Sequence, residues 1–143
     1  MKTSLIDAGP LIALFDGNDQ HHERVLHFLK RYSGQLITCW PVLTEVCYML
    51  DFHKQVRSDF LNWVLKGGLK LVNLRPQQLE GIDEKMNKYS DLPADFADAT
   101  LLEIAESKNI QFILSLDRDF DIYRLKNGRI LVNVLNDEGE NEK

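Results

Sequence analysis

The sequence predicts an α/β fold, an α/β/α sandwich around a mostly parallel central sheet. Short apolar runs, such as SLI at 4–6 and FILSL at 112–116, alternate with longer stretches whose apolar residues recur at helical spacing. Prolines sit at the openings of the helical stretches and glycines near several of their ends. Strand and helix in alternation imply right-handed crossovers, parallel pairing and helices on both faces of the sheet.

Residues 3–6 form the first buried strand, and Asp7-Ala8-Gly9-Pro10 turns the chain into a helix over 11–15. Pro10 lies near the first turn of that helix, where its missing N–H has no helical partner to lose. Residues 16–19, DGND, make a loop. Residues 22–32 form an amphipathic helix with Val25, Leu26, Phe28 and Leu29 facing inward, and Gly34 closes it. A strand follows at 36–38, then a helix from Pro41 through Leu50 and another over 55–65 that ends at Gly67-Gly68. Residues 69–74 alternate as a strand does. Pro76 starts a helix reaching 88, and Pro93-Ala94-Asp95 opens one reaching 108. The last elements are a strand at 112–116, a short turn or helix at 119–123 and a strand at 130–134. The expectation is one domain over 1–135, without internal repeat or linker, followed by an acidic, disordered tail over 136–143.

A chain of 143 residues can bury a core of its own. Its 44% hydrophobic and 27% charged composition fits a soluble globular protein. No apolar run approaches the ~20 residues of a membrane span. Asp7, Gly9, Pro10 and Asp16 interrupt what would be the apolar core of a signal peptide, so a cytoplasmic protein is expected. Cys39 and Cys47 form no CxxC pair and read as reduced core thiols. The net charge of −5 argues against a dedicated nucleic-acid coat protein. The tail holds four acids and one lysine, a net of −3, which leaves −2 for the body. Neutralising four body carboxylates with metal would turn that −2 into +2, compatible with a polyanionic substrate.

Four carboxylates stand where charge is costly. Glu45 is the only charged residue between Leu36 and Leu50, Asp7 follows Ser4-Leu5-Ile6, Asp98 lies early in DFADATLLEIAE, and Asp117 follows FILSL. A carboxylate beside a core must be paired, neutralised or bound to a cation. The apolar flanks offer no Lys or Arg, so several such acids meeting in space would make an oxygen-rich site for a hard divalent metal. Asp7 and Asp117 fall at the carboxyl ends of two predicted strands, where open α/β sheets build their sites. Structural readings stand beside this one. Asp7, Asp95 and Asp117 could each cap a following helix or turn, Asp98 could be the capping-box partner of Asp95, and Glu45 could pair with a distant Arg.

Other chemistries fit poorly. The phosphate-loop patterns GxxxxGK[ST] and GxGxxG are missing, as is the nucleophile motif GxSxG. His21 and His22 lack further ligands at zinc spacing and read as the solvent-facing start of a helix, while His27 and His53 read as surface residues.

The segments LIDAGPLIALFDGNDQHH, PVLTEVCYML, DFADATLLEIAE and LSLDRDF, taken in order, resemble the successive motifs of PIN-domain nucleases, and most closely VapC-type toxins of bacterial toxin–antitoxin pairs. The resemblance runs from Thr3 to Val134 and implies a PIN-like α/β/α sandwich. It implies that Asp7, Glu45, Asp98 and Asp117 are catalytic and bind Mg2+ or Mn2+, with Asp95 as an additional acid. Ser115 matches a small hydroxyl position behind the ligands, and Arg118 would steady a substrate phosphate, with Lys54, Arg57, Arg124 and Arg129 as weaker candidates for backbone contact. It further implies an RNA substrate cut to leave a 5′-phosphate, a homodimer, and an antitoxin protein lying in an apolar groove. The helices after Pro10 and Pro41 would line that groove through Phe15, Leu43 and Tyr48. Three other readings remain: an RNA-processing PIN nuclease that is not a toxin, a PIN-like module that binds RNA or protein without turnover, and a phospho-receiver domain. Ala8 and Arg118 stand where a receiver would want a second acid and a lysine.

Overall fold

The fold is that of a computed structural model of the chain, which describes residues 2–89 and 91–136. Five strands, β1 (Lys2–Ile6), β2 (Gly34–Thr38), β3 (Lys70–Leu71), β4 (Phe112–Leu114) and β5 (Val132–Asn133), pair in the order β3-β2-β1-β4-β5. All four pairings are parallel. The helices are α1 (Ala8–Phe15), α2 (His22–Arg31), α3 (Trp40–Met49), α4 (Lys54–Leu65), α5 (Leu79–Asn87) and α6 (Phe96–Lys108). Short 3-10 turns precede α5 at Pro76–Gln78 and follow β4 at Arg118–Asp121. This is the expected mostly parallel α/β/α arrangement.

The core lies where the sheet meets its helices. Leu5, Ile6, Ile113 and Leu114 of the central strands are fully buried, as are Leu11 of α1, Val42 and Val46 of α3, and Leu101 and Ile104 of α6. β1 sits at the centre. The chain builds β2 and β3 on one side of it, then crosses through α5 and α6 to place β4 and β5 on the other. The crevice at the carboxyl ends of β1 and β4 is thus the topological switch point, the place where such sheets bind ligands. Register keeps the two ends level: Ile6 pairs with Leu114, and the Asp7 N–H donates to the Leu114 carbonyl at 3.1 Å.

Several boundaries differ from expectation, each for a local reason. Gly34 does not close a helix but begins β2 opposite Lys2, where a Cβ would meet the Lys2 carbonyl oxygen at 2.3 Å. α1 begins three residues early, at Ala8, because the Asp7 side chain caps it. β4 stops at Leu114, and Ser115 turns away toward Asn133, whose amide Nδ2 donates to the Ser115 carbonyl at 2.8 Å. The edge strands β3 and β5 pair over only two residues each, far less than the predicted 69–74 and 130–134. His22 does begin α2, but its ring Nδ1 lies 2.7 Å from the Ala13 carbonyl, pinning α2 to α1. His53 is exposed and accepts from the Val56 N–H at the start of α4. Both cysteines are free, with Cys39 buried and Cys47 half-buried. Among the described residues no helix is long and apolar enough to cross a membrane. Of the predicted tail, 137–143 lies outside the described residues.

Candidate metal centre

Asp7 is the first residue after β1 and is 5% exposed. Its Oδ1 accepts from the Ala8 N–H at 2.8 Å and its Oδ2 from the Ser115 hydroxyl at 3.2 Å. The Ser115 hydroxyl also accepts from the Asp117 N–H at 2.9 Å. One buried hydroxyl therefore ties the ends of β1 and β4 together and sets the distance between two acids. Asn133 on β5 secures Ser115 in turn: its Oδ1 accepts from the Ser115 N–H at 3.4 Å and from the Leu135 N–H at 3.2 Å. The Thr38 hydroxyl donates to the Ile6 carbonyl at 2.7 Å and holds β2 against the residue before Asp7.

Asp98 arrives from the first turn of α6. Asp95 caps that helix by accepting from the Asp98 N–H at 2.8 Å, which fixes where the Asp98 side chain starts. Asp117 caps the 3-10 turn after β4, accepting from the Asp119 N–H at 2.9 Å. The capping readings of Asp7, Asp95 and Asp117 therefore hold together with a site reading, because a carboxylate oxygen that accepts one hydrogen bond keeps a lone pair for a cation. Carboxylate oxygens of Asp7, Asp98 and Asp117 lie within 4.8 Å of one another. Glu45, half-buried on α3, stands beside this triad rather than within it and lines one cleft with Asp95.

The cost of the arrangement appears in the proton affinities. Burial, then repulsion from Asp117 and Asp95, raises the Asp7 carboxyl to about 6 against the lowering effect of its Ala8 and Ser115 hydrogen bonds. Burial raises Asp98 to about 8, with Asp7, Asp95, Asp117 and Glu45 adding repulsion. Glu45 rises to about 7 through burial, then through Asp95 and Asp7. Burial and the same acids push the Cys39 thiol up to about 12, so it is no nucleophile. No ion pair reaches any of these acids among the described residues, where the ion pairs are Arg57–Asp51 and Lys85 with Glu103 and Glu106. Converging carboxylates without a cation are the donor set of a hard divalent metal. An all-oxygen set of three to five acids fits Mg2+ or Mn2+ and lacks the His or Cys that zinc sites favour.

The remaining predicted residues separate clearly. Arg118 follows Asp117 directly and is exposed, without an ion pair to Asp119 among the described residues. Arg57 is committed to Asp51, and Arg124 donates to the carbonyls of Asp121 and Ile122 at 3.2 and 2.7 Å, so neither stands free for phosphate. Lys54 and Arg129 are exposed. Of the expected groove residues, Leu43 is core, and Phe15 packs against Phe60 and Trp63 with ring centroids 5.4 and 5.5 Å apart. Tyr48, 80% exposed, is the one turned outward. Asn133 and Tyr123 are site neighbours that the sequence reading missed. A lone Asn inside the apolar run ILVNVL was the only signal for the first, and nothing marked the second.

The PIN domain family model matches residues 4–125. Among solved structures, the Mycobacterium tuberculosis toxin VapC20, described as cleaving the sarcin-ricin loop, superposes with a TM-score of 0.75 at 18% identity, over 82% of this chain and 92% of that one. VapBC2 from Rickettsia felis, bound to a DNA fragment from its promoter, superposes with a TM-score of 0.61 at 13% identity, over 84% of this chain and 92% of that one. No curated protein matches the sequence. With the motif acids gathered at the switch point and the family model spanning residues 4–125, the chain belongs to the PIN domain family.

Proposed function

We propose that this protein is a metal-dependent endoribonuclease that hydrolyses RNA phosphodiester bonds, and that it is the toxin of a toxin–antitoxin pair. The observation that carries the reading is the meeting of Asp7, Asp98 and Asp117 within 4.8 Å, with no ion pair to them among the described residues. Membership of the PIN family supports nuclease chemistry, and the fold shared with VapC20 and VapBC2 supports the toxin role.

Asp7, Asp98 and Asp117 would hold Mg2+ or Mn2+, with Glu45 and Asp95 as neighbouring acids. When bound, the ion supplies a lowered pKa for water and a counter-charge for the phosphate. The protein's own residues prepare that site. Ser115 keeps Asp7 and Asp117 at fixed separation, while Asp95 presents Asp98 from the helix start. Glu45, with a proton affinity raised to near neutrality by burial and by Asp95 and Asp7, is suited to take up or return a proton at the reacting oxygens. Arg118, exposed beside Asp117, would meet a substrate phosphate. A protein partner and a second copy of the chain are part of the proposal. The exposed Trp40, Tyr48, Met49 and Phe52, on and just beyond α3, favour such contacts.

The test is cleavage of end-labelled structured RNA with Mn2+, with Mg2+ and with EDTA. Wild-type protein is expected to cut only with metal, and Asp7→Asn and Glu45→Gln to lose roughly 100-fold or more. Equal cutting by Asp7→Asn and wild type would refute the site.

A further inference from the structure

Tyr123 follows the 3-10 turn at Arg118–Asp121 and is 1% exposed, the largest fully buried side chain of the molecule among the described residues. Its hydroxyl is the one buried side-chain polar atom without a hydrogen-bond partner among the described residues. Such an orphan is costly in a native fold and calls for a reason. The ring is not loosely held. It meets Phe120 edge-on and Tyr89 at a tilt, both with centroids 5.5 Å away, and the Tyr123 N–H donates to the Asp119 carbonyl at 3.1 Å. Tyr89 has a separate partner, since its hydroxyl accepts from the Arg124 N–H at 2.8 Å. The fixed Tyr123 hydroxyl instead lies in the field of four carboxylates: Asp98 first, then Asp119, Asp117 and Asp95.

We infer that Tyr123 is a positioning residue of the metal centre, whose hydroxyl donates toward the Asp98 carboxylate, directly or through one water, when that carboxylate holds a cation. The inference rests on the metal-site reading above. A carboxylate ligand has one oxygen on the metal and one turned away, and a donor to the second fixes the rotamer of the first. Asp7 has Ser115 and Ala8 for this purpose, and Asp117 has the Asp119 N–H. The Asp98 carboxylate has no such donor among the hydrogen bonds described, and Tyr123 is the buried donor left over. A phenol anchored by two aromatic rings suits the task because it approaches without bringing a charge.

The experiment titrates Mn2+ into wild-type protein and Tyr123→Phe, reading free Mn2+ by electron paramagnetic resonance, and measures the Tm of both without metal. Tyr123→Phe deletes the hydroxyl alone. The expected result is Mn2+ affinity weakened roughly 10–100-fold, with a metal-free Tm equal to or above wild type. Unchanged Mn2+ affinity would overturn the inference while leaving the metal site standing. Weakened affinity with a lowered metal-free Tm would assign Tyr123 to packing and overturn it too. Wild-type protein that binds no Mn2+ would remove the metal-site reading itself, a failure visible before the variant is compared.

Discussion

Asp7 spends its two oxygens on Ala8 and Ser115, yet burial still holds its carboxyl at about 6, well above an ordinary aspartate. Asp98 at about 8 and Glu45 at about 7 are shifted in the same direction. All three bind protons more tightly folded than unfolded, so the metal-free stability they contribute is fully present below about pH 4 and is lost as pH rises through 6 to 8. Thermal melts in EDTA across that range are expected to show this decline. Asp7→Asn should flatten it and raise metal-free stability near pH 8 by roughly 1–2 kcal/mol, a few degrees in Tm. A Tm that rose steadily from pH 4 to 8 in EDTA would contradict the electrostatic account. Asp7 and Asp117 were legible in the sequence because a charge ending an apolar run conflicts with its neighbours, and Asp98 through its place early in the helical stretch DFADATLLEIAE. Tyr123 raised no such conflict, since a tyrosine in a core is ordinary and only its missing partner marks it.

Strand ends and helix starts carry the site, and their fastening is a matter of elements. Ser115 and Asn133 lock β1, β4 and β5 at their carboxyl ends through five hydrogen bonds that also reach Asp7, Asp117 and Leu135. Asn133→Ala leaves the Ser115 backbone groups without partners, and a loss of roughly 1–3 kcal/mol is expected from urea unfolding. Cleavage should fall with it even where the protein stays folded, because Asp7 and Asp117 lose their common support. Behind the site, Lys85 of α5, 6% exposed, bridges Glu103 and Glu106 of α6 at 3.1 and 2.7 Å. Lys85→Met strands two carboxylates and should cost roughly 3 kcal/mol. A melt within a degree of wild type would show the bridge to be dispensable. Helix existence was readable from period and proline placement. Exact ends were not: α1 starts at its aspartate cap, β3 stops where β2 ends at Thr38, and β5 starts only where β4 begins at Phe112.

For the molecule as a whole, alternation of strand and helix was enough to predict a parallel sheet, but not its order. Nothing in the local pattern says that the chain crosses from β3 to the far side of β1, and that crossing is what creates the crevice for Asp7 and Asp117. The family resemblance supplied the missing step by naming acids far apart in sequence as one group. The structure brings Asp7, Asp98 and Asp117 together and sets Glu45 next to them with Asp95. The central claim is that this crevice is a cation site whose acids must give up protons to bind. Calorimetric titration of Mn2+ at pH 7, in two buffers of different ionisation enthalpy, tests it most directly. The account predicts one saturable site in the wild type, proton release on binding, affinity that increases from pH 6 to pH 8, and loss of binding in Asp98→Asn. Folded wild-type protein that takes up no Mn2+ across that range would contradict it.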